Sequence, residues 1–133
     1  MLKLPIALFI SLFIVGSLFA QGFTSYFTGN TTDVTTSPRG GVCMMGGATE
    51  DDGAMVWFLE RADGGDVVVL RTSGSDGYND YMYQDLGVSL NSVETLVFNS
   101  ASAAQDPNVI AAVSKAEAIW FAGGDQWEYL SYW

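Results

Sequence analysis

From Gly41 onward, short apolar runs alternate with stretches whose apolar positions recur every three or four residues. Val42-Cys43-Met44-Met45 predicts a first buried strand, closed by Gly46-Gly47. Thr49 with Asp52 three residues later fits a capping box, so a helix is expected from there to about Ala62. Glu50, Asp51 and Asp52 would occupy its first turn, where the helix dipole favours anions, and Gly64-Gly65 would stop it. Asp66-Val67-Val68-Val69-Leu70-Arg71 is a continuous β-branched run, as expected of a parallel strand covered on both faces. A loop, Thr72 to Gly77, follows. Tyr78, Tyr81, Met82, Asp85 and Leu86 then fall at helical spacing, with Gly87 as the C-cap.

The pattern continues with a third strand, Val93 to Phe98. Asp106-Pro107 reads as an N-cap followed by proline at the first helical position, and Val109, Ile110 and Val113 supply the buried stripe. Ala118 to Ala122 predicts a fourth strand, after which Asp125 can cap a last helix carrying Trp127 and Leu130. Strand and helix thus alternate, with crossovers long enough to keep the strands parallel. The expected class is an α/β three-layer sandwich with a parallel sheet, truncated after its fourth strand. A last helix of two turns and an uncovered apolar edge on the fourth strand both point to truncation.

Ahead of this body lie two segments of different character. Met1 to Ala20 has one cation, Lys3, then an apolar run to Phe19 and a small residue before Gln21, the layout of a secretory signal peptide. The alternative is an uncleaved membrane anchor, for which the run is short. Residues 21–40 are rich in Thr, Ser, Gly and Asn and read as a linker or irregular arm, with Phe23, Tyr26 and Phe27 packing part of it onto the body. The domain plan is therefore signal peptide 1–20, arm 21–40 and α/β body 41–133. The expected location is secreted or periplasmic, with no stable membrane anchor after cleavage.

Charge narrows the chemistry. The 133 residues carry 15 Asp and Glu against 5 Lys and Arg, a net charge of −10, which disfavours binding to phosphate backbones of nucleic acids. The chain has no histidine, which excludes a Ser-His or Cys-His pair built from this sequence alone and removes the commonest zinc ligand. The single cysteine, Cys43, reads as a small core residue, and no metal or other cofactor is expected.

Three strand ends run into small-residue loops: Gly46-Gly47-Ala48, Thr72-Ser73-Gly74-Ser75 and Gly123-Gly124-Asp125. Ligands of open parallel sheets bind beyond the carboxyl ends of the strands, where glycine lets backbone N–H groups approach closely. Each loop alone is satisfied by tight turning between strand and helix; three together suggest an oxyanion-binding rim. None has the spacing of a dinucleotide or Walker loop.

Gly46-Gly47-Ala48-Thr49-Glu50-Asp51, a strand ending Thr72-Ser73, Tyr83, Leu86-Gly87-Val88, Asp106-Pro107 and Phe121-Ala122-Gly123-Gly124-Asp125-Gln126 follow one another in order. This resembles the N-terminal half of the cyanophycinase branch of the S51 serine peptidases, over roughly residues 40–130. The resemblance implies a flavodoxin-like fold similar to the class I glutamine amidotransferases. It implies a peptide substrate of the cyanophycin-like kind, cleaved at aspartyl or β-aspartyl bonds; cyanophycinases release β-Asp-Arg dipeptides. The family nucleophile is a serine in Gly-x-Ser-Ala-Gly with a histidine base further on, and neither occurs in this sequence. Carried over, Gly124 would donate a backbone N–H to the oxyanion and Gln126 would contact substrate. Gly46, Gly47 and Ser73 would complete the rim, and Asp125 would cap the helix beside it. Asp52 stands where members often carry a basic residue. The rival readings are a non-catalytic exported α/β binding module and a small flavodoxin-like cofactor carrier.

Overall fold

The computed structural model of the protein describes residues 22–46 and 49–133. The expected signal peptide, Gln21 and Gly47 lie outside the described residues. Four strands, β1 (Phe23–Gly29), β2 (Asp66–Arg71), β3 (Ser92–Phe98) and β4 (Ala118–Phe121), form one open sheet in the order β1-β3-β2-β4. β2 runs parallel to both β3 and β4, whereas β1 is antiparallel to β3, with Phe23 opposite Phe98 and Gly29 opposite Ser92. The class is α/β with a mostly parallel sheet. An all-parallel sheet was expected, and β1 corrects that.

The alternation of side chains along β2 divides the interior into two layers. Val67 and Val69 face a core with Met55, Leu59 and Ala62, joined by Met82, Val93, Trp120 and Ala122. Val68 and Leu70 face the opposite core, with Phe23, Leu96, Phe98, Ala103 and Val109. The first core lies under α1 (Asp52–Leu59) and a π turn at Tyr81–Asp85, and the second under α2 (Pro107–Lys115). A short last helix, α3 (Gln126–Tyr132), lays Tyr132 and Trp133 against this second side, Trp133 lying 5.2 Å from the Phe98 ring centroid.

Two elements differ from their expectations. The arm at 21–40 contains β1, whose pairing with β3 supplies what its polar composition does not. Val42 to Met45 is not a strand: Val42 is 81% exposed and Met44 88%, and no ladder partner holds them. The cap of α1 is also displaced. The Asp51 carboxylate, not Thr49, accepts the Ala54 N–H at 2.8 Å, because Asp51 is the residue left in extended conformation before the helix. The other caps stand as expected: Asp106 accepts from Asn108 N, Asp125 from Trp127 N, and Gly87 adopts a left-handed φ of 68°. The segment after Tyr78 winds more widely than an α-helix, with the Leu86 N–H donating to the Tyr81 carbonyl five residues back.

Asn79, 3% exposed, ties the sheet to this segment. Its amide nitrogen donates to the Tyr26 carbonyl at 3.1 Å and to Thr28 Oγ1 at 3.2 Å on β1, while its oxygen accepts from the fully buried Thr95 hydroxyl at 2.7 Å. β1 is therefore fastened from the side as well as along its ladder.

Candidate functional site

β2 and β4 lie side by side and end at the same edge of the sheet. Beyond them opens a cavity of about 360 Å³, lined by Met45, Gly46, Thr49, Glu50, Arg71, Tyr78 and the stretch Trp120 to Gly123. Arg71 is the last residue of β2 and shares a face with Val67 and Val69, so the strand's own alternation turns it to the α1 side. Trp120 occupies the same side of β4 and packs against Phe58 and Tyr78, with centroids 5.3 and 6.5 Å apart.

Tyr78 closes one wall. Its hydroxyl donates to Glu50, and the Arg71 guanidinium lies 5.4 Å from its ring centroid. Burial, and then the hydrogen bond to Glu50, push the Tyr78 phenol above its ordinary value of 10.0, so it stays a protonated donor. Tyr81 is raised by burial and by donating to Asp52 at 2.8 Å. The acids at the start of α1 thus hold two phenols. Among the described residues no cluster of His, Cys, Asp and Glu is arranged for a metal ion.

Where β4 ends, the Tyr129 hydroxyl reaches across from α3 to the Ala122 carbonyl at 2.8 Å and the Leu70 carbonyl at 3.0 Å, tying the tips of β4 and β2. Burial raises the Tyr129 phenol as well. In a trans peptide the carbonyl and the following N–H point to opposite sides. Tyr129, by holding Ala122 C=O, turns the Gly123 N–H away from itself. Gly124 approaches β2 so closely that a Cβ there would stand 3.2 Å from Thr72 Oγ1. Only glycine fits that approach without displacing its neighbour.

The five expected site residues that the structure describes, Gly47 being outside them, do not share one place. Gly46 lines the cavity with Arg71 and Gly123. Gly124 and Gln126 line an adjoining, more apolar groove of about 530 Å³ with Tyr129, Leu130 and Trp133. The ridge Phe121-Ala122-Gly123 borders both depressions. Ser73 is exposed on the loop after β2 and lines neither, and Asp125 spends its carboxylate capping α3. Arg71, Glu50, Tyr78 and Trp120 are cavity residues that the glycine pattern does not point to. The available signal was Arg71, a charge at the end of an apolar strand, at the edge where ligands bind.

No family model, no curated protein and no solved structure matches the chain. What the site can do is argued from its geometry and from the sequence motifs alone.

Proposed function

We propose that the chain carries the substrate-binding side of a hydrolytic site of the cyanophycinase-like S51 type, on a flavodoxin-like sheet. The strand order β3-β2-β4 in parallel is compatible with that arrangement. The observation that carries the reading is the meeting of Gly46, Arg71 and Gly123, from three separate segments, around one cavity at the carboxyl ends of β2 and β4. A backbone N–H beside such a cavity can stabilise an oxyanion, an interaction worth about 3 kcal/mol of barrier per donor. Gly123 and Gly124 are the candidate donors, and Gln126 is the candidate contact to the substrate chain in the adjoining groove.

The attacking serine and its histidine base would come from residues outside this sequence, since no Gly-x-Ser-Ala-Gly and no histidine occur in it. The substrate proposed is an aspartyl or β-aspartyl peptide, and Met1 to Ala20 would direct export. The purified chain alone is expected not to hydrolyse a β-Asp-Arg peptide. Supplying a polypeptide that contains the Gly-x-Ser-Ala-Gly turn and the histidine is expected to restore hydrolysis, lost again on replacing that serine by alanine. Hydrolysis by the chain alone would refute the assignment. The absence of histidine, and so of a Ser-His or Cys-His pair in this sequence, is also compatible with a second reading, a non-catalytic exported module binding ligands in the same cavity. A chain that binds β-Asp-Arg but is never complemented into hydrolysis would favour it.

A further inference from the structure

Cations are scarce in this chain, and acids outnumber them threefold, 15 to 5. The one ion pair among the described residues is Lys115 with Asp33 at 3.3 Å. Arg39 and Arg61 bond backbone carbonyls, and Arg61 also lies over the Trp57 ring; neither lines the cavity. Arg71 does, and among the described residues it has no carboxylate partner despite that excess of acids.

The guanidinium is nonetheless held in place. Its Nη1 donates to the Ser75 carbonyl at 3.0 Å, and its face lies toward the Tyr78 ring. The loop curls around it through Gly74, at a φ of 85°, where a Cβ would stand 2.6 Å from Nη2. Of five N–H donors, one is bonded to protein, and Nε is buried with no partner. On the same wall the indole Nε1 of Trp120, a residue only 9% exposed, approaches the Tyr78 hydroxyl and makes no closer hydrogen bond. A guanidinium held in a cavity wall with most of its N–H donors unbonded can take an external acceptor.

We infer that Arg71, with Trp120 beside it, forms a binding subsite for a carboxylate group carried by the ligand. A carboxylate matches the planar fork of a guanidinium in shape and, as a monoanion, brings the smaller negative charge to a wall that holds Glu50 as well as Arg71. A phosphate dianion would leave excess negative charge close to Glu50, which lines the same cavity, in a chain already at −10. Glu50 lines the same cavity, its carboxylate already accepting from Tyr78. The subsite goes beyond the proposed hydrolysis, since it needs no nucleophile.

The test is an NMR titration of the full 133-residue chain with N-acetylglycine, its neutral amide N-acetylglycinamide, and inorganic phosphate. The carboxylate is expected to shift the Arg71 Nε–H and Trp120 Nε1–H signals and to bind at least about tenfold more tightly than the amide, the scale of one charge-assisted hydrogen bond. Arg71→Gln is expected to weaken it by about tenfold or more, and Arg71→Lys to weaken it as well, since a lysine has neither the planar fork nor the guanidinium face turned to Tyr78. Equal binding of the neutral amide, tighter binding of phosphate, no shift with any probe, or an unchanged affinity in a folded R71Q would each overturn the assignment. The amide comparison uses the unmodified chain, so it decides even if R71Q does not fold. Hydrolysis is read by a separate assay, so loss of one conclusion leaves the other standing.

Discussion

Replacing Asn79 by alanine tests how β1 is held. The side chain is 3% exposed and bonds to separate elements: Tyr26 and Thr28 on β1, Val93 and Thr95 on β3. Truncation strands the Thr95 hydroxyl, fully buried, without its acceptor, a cost of about 1–3 kcal/mol. Loss of the amide's two bonds to β1 adds about 1 kcal/mol each. The sum, about 3–5 kcal/mol, is a large share of the stability of a small domain. With a urea slope of about 1.5 kcal/mol/M the unfolding midpoint should fall by about 2–3 M. Thr95→Val should cost about 1–2 kcal/mol alone, by stranding the Asn79 oxygen, but little in the N79A background, where nothing remains to pair. That coupling of about 1–2 kcal/mol is the diagnostic quantity. Amide exchange should locate the loss in residues 23–29 first. A midpoint shift below about 0.5 M, or equal costs of T95V in both backgrounds, would refute the bridging role.

Further outcomes follow from single features. Met55, wholly buried beneath α1, should cost about 3 kcal/mol as alanine, read from the same urea midpoint. Gly87 sits at φ 68° with no atom within 4 Å of a would-be Cβ, so its replacement by alanine meets strain but no clash. G87A should cost about 1 kcal/mol and G87N less, by thermal unfolding. Asp106→Ala removes the cap from α2 and should cost about 1 kcal/mol, recovered largely by Asp106→Ser. The pH profile has a definite sign. Tyr78, Tyr81 and Tyr129 are all raised above 10.0 in the fold, so the native state keeps protons there that the unfolded chain has lost. Their contribution is fully present below pH 10.0 and is lost as pH rises through the folded values above it. Tyrosinate absorbance should therefore develop late in the native protein and near pH 10.0 in urea; coincident curves would refute the burial of these phenols.

The parallel part of the sheet was legible in the sequence because its strands carry their own signal. β2 is a run of Val and Leu too continuous for anything but burial on both faces, and it spans Asp66–Arg71 as expected. Asp106-Pro107 announced α2 for a similarly local reason: cap and first turn are chemistry between near neighbours. β1 carried no such signal. Phe23-Thr24-Ser25-Tyr26-Phe27 is half polar, as suits a strand with one exposed face, and its partner lies far along the chain. Val42 to Met45 misled in the opposite direction: without a ladder partner the run stays irregular, with Val42 and Met44 exposed and only Cys43 and Met45 packed against the core. At the site, glycines marked the correct edge of the sheet but not its lining. Gly46 and Gly124 fall in adjoining depressions, and the cation lining the wall is Arg71, which a search for loops passes over.

The pairing of Phe23–Gly29 with Ser92–Phe98 also sets an order of events. As the chain leaves a ribosome or a translocon, β1 emerges well before the strand that will receive it, and must wait while β2 and the π turn are made. Contacts of such long sequence separation slow folding, because the loop must close before the contact repays it. An aromatic ribbon held open for that interval is a natural client for a chaperone, and the wait should lengthen when Asn79, the second fastening, is removed.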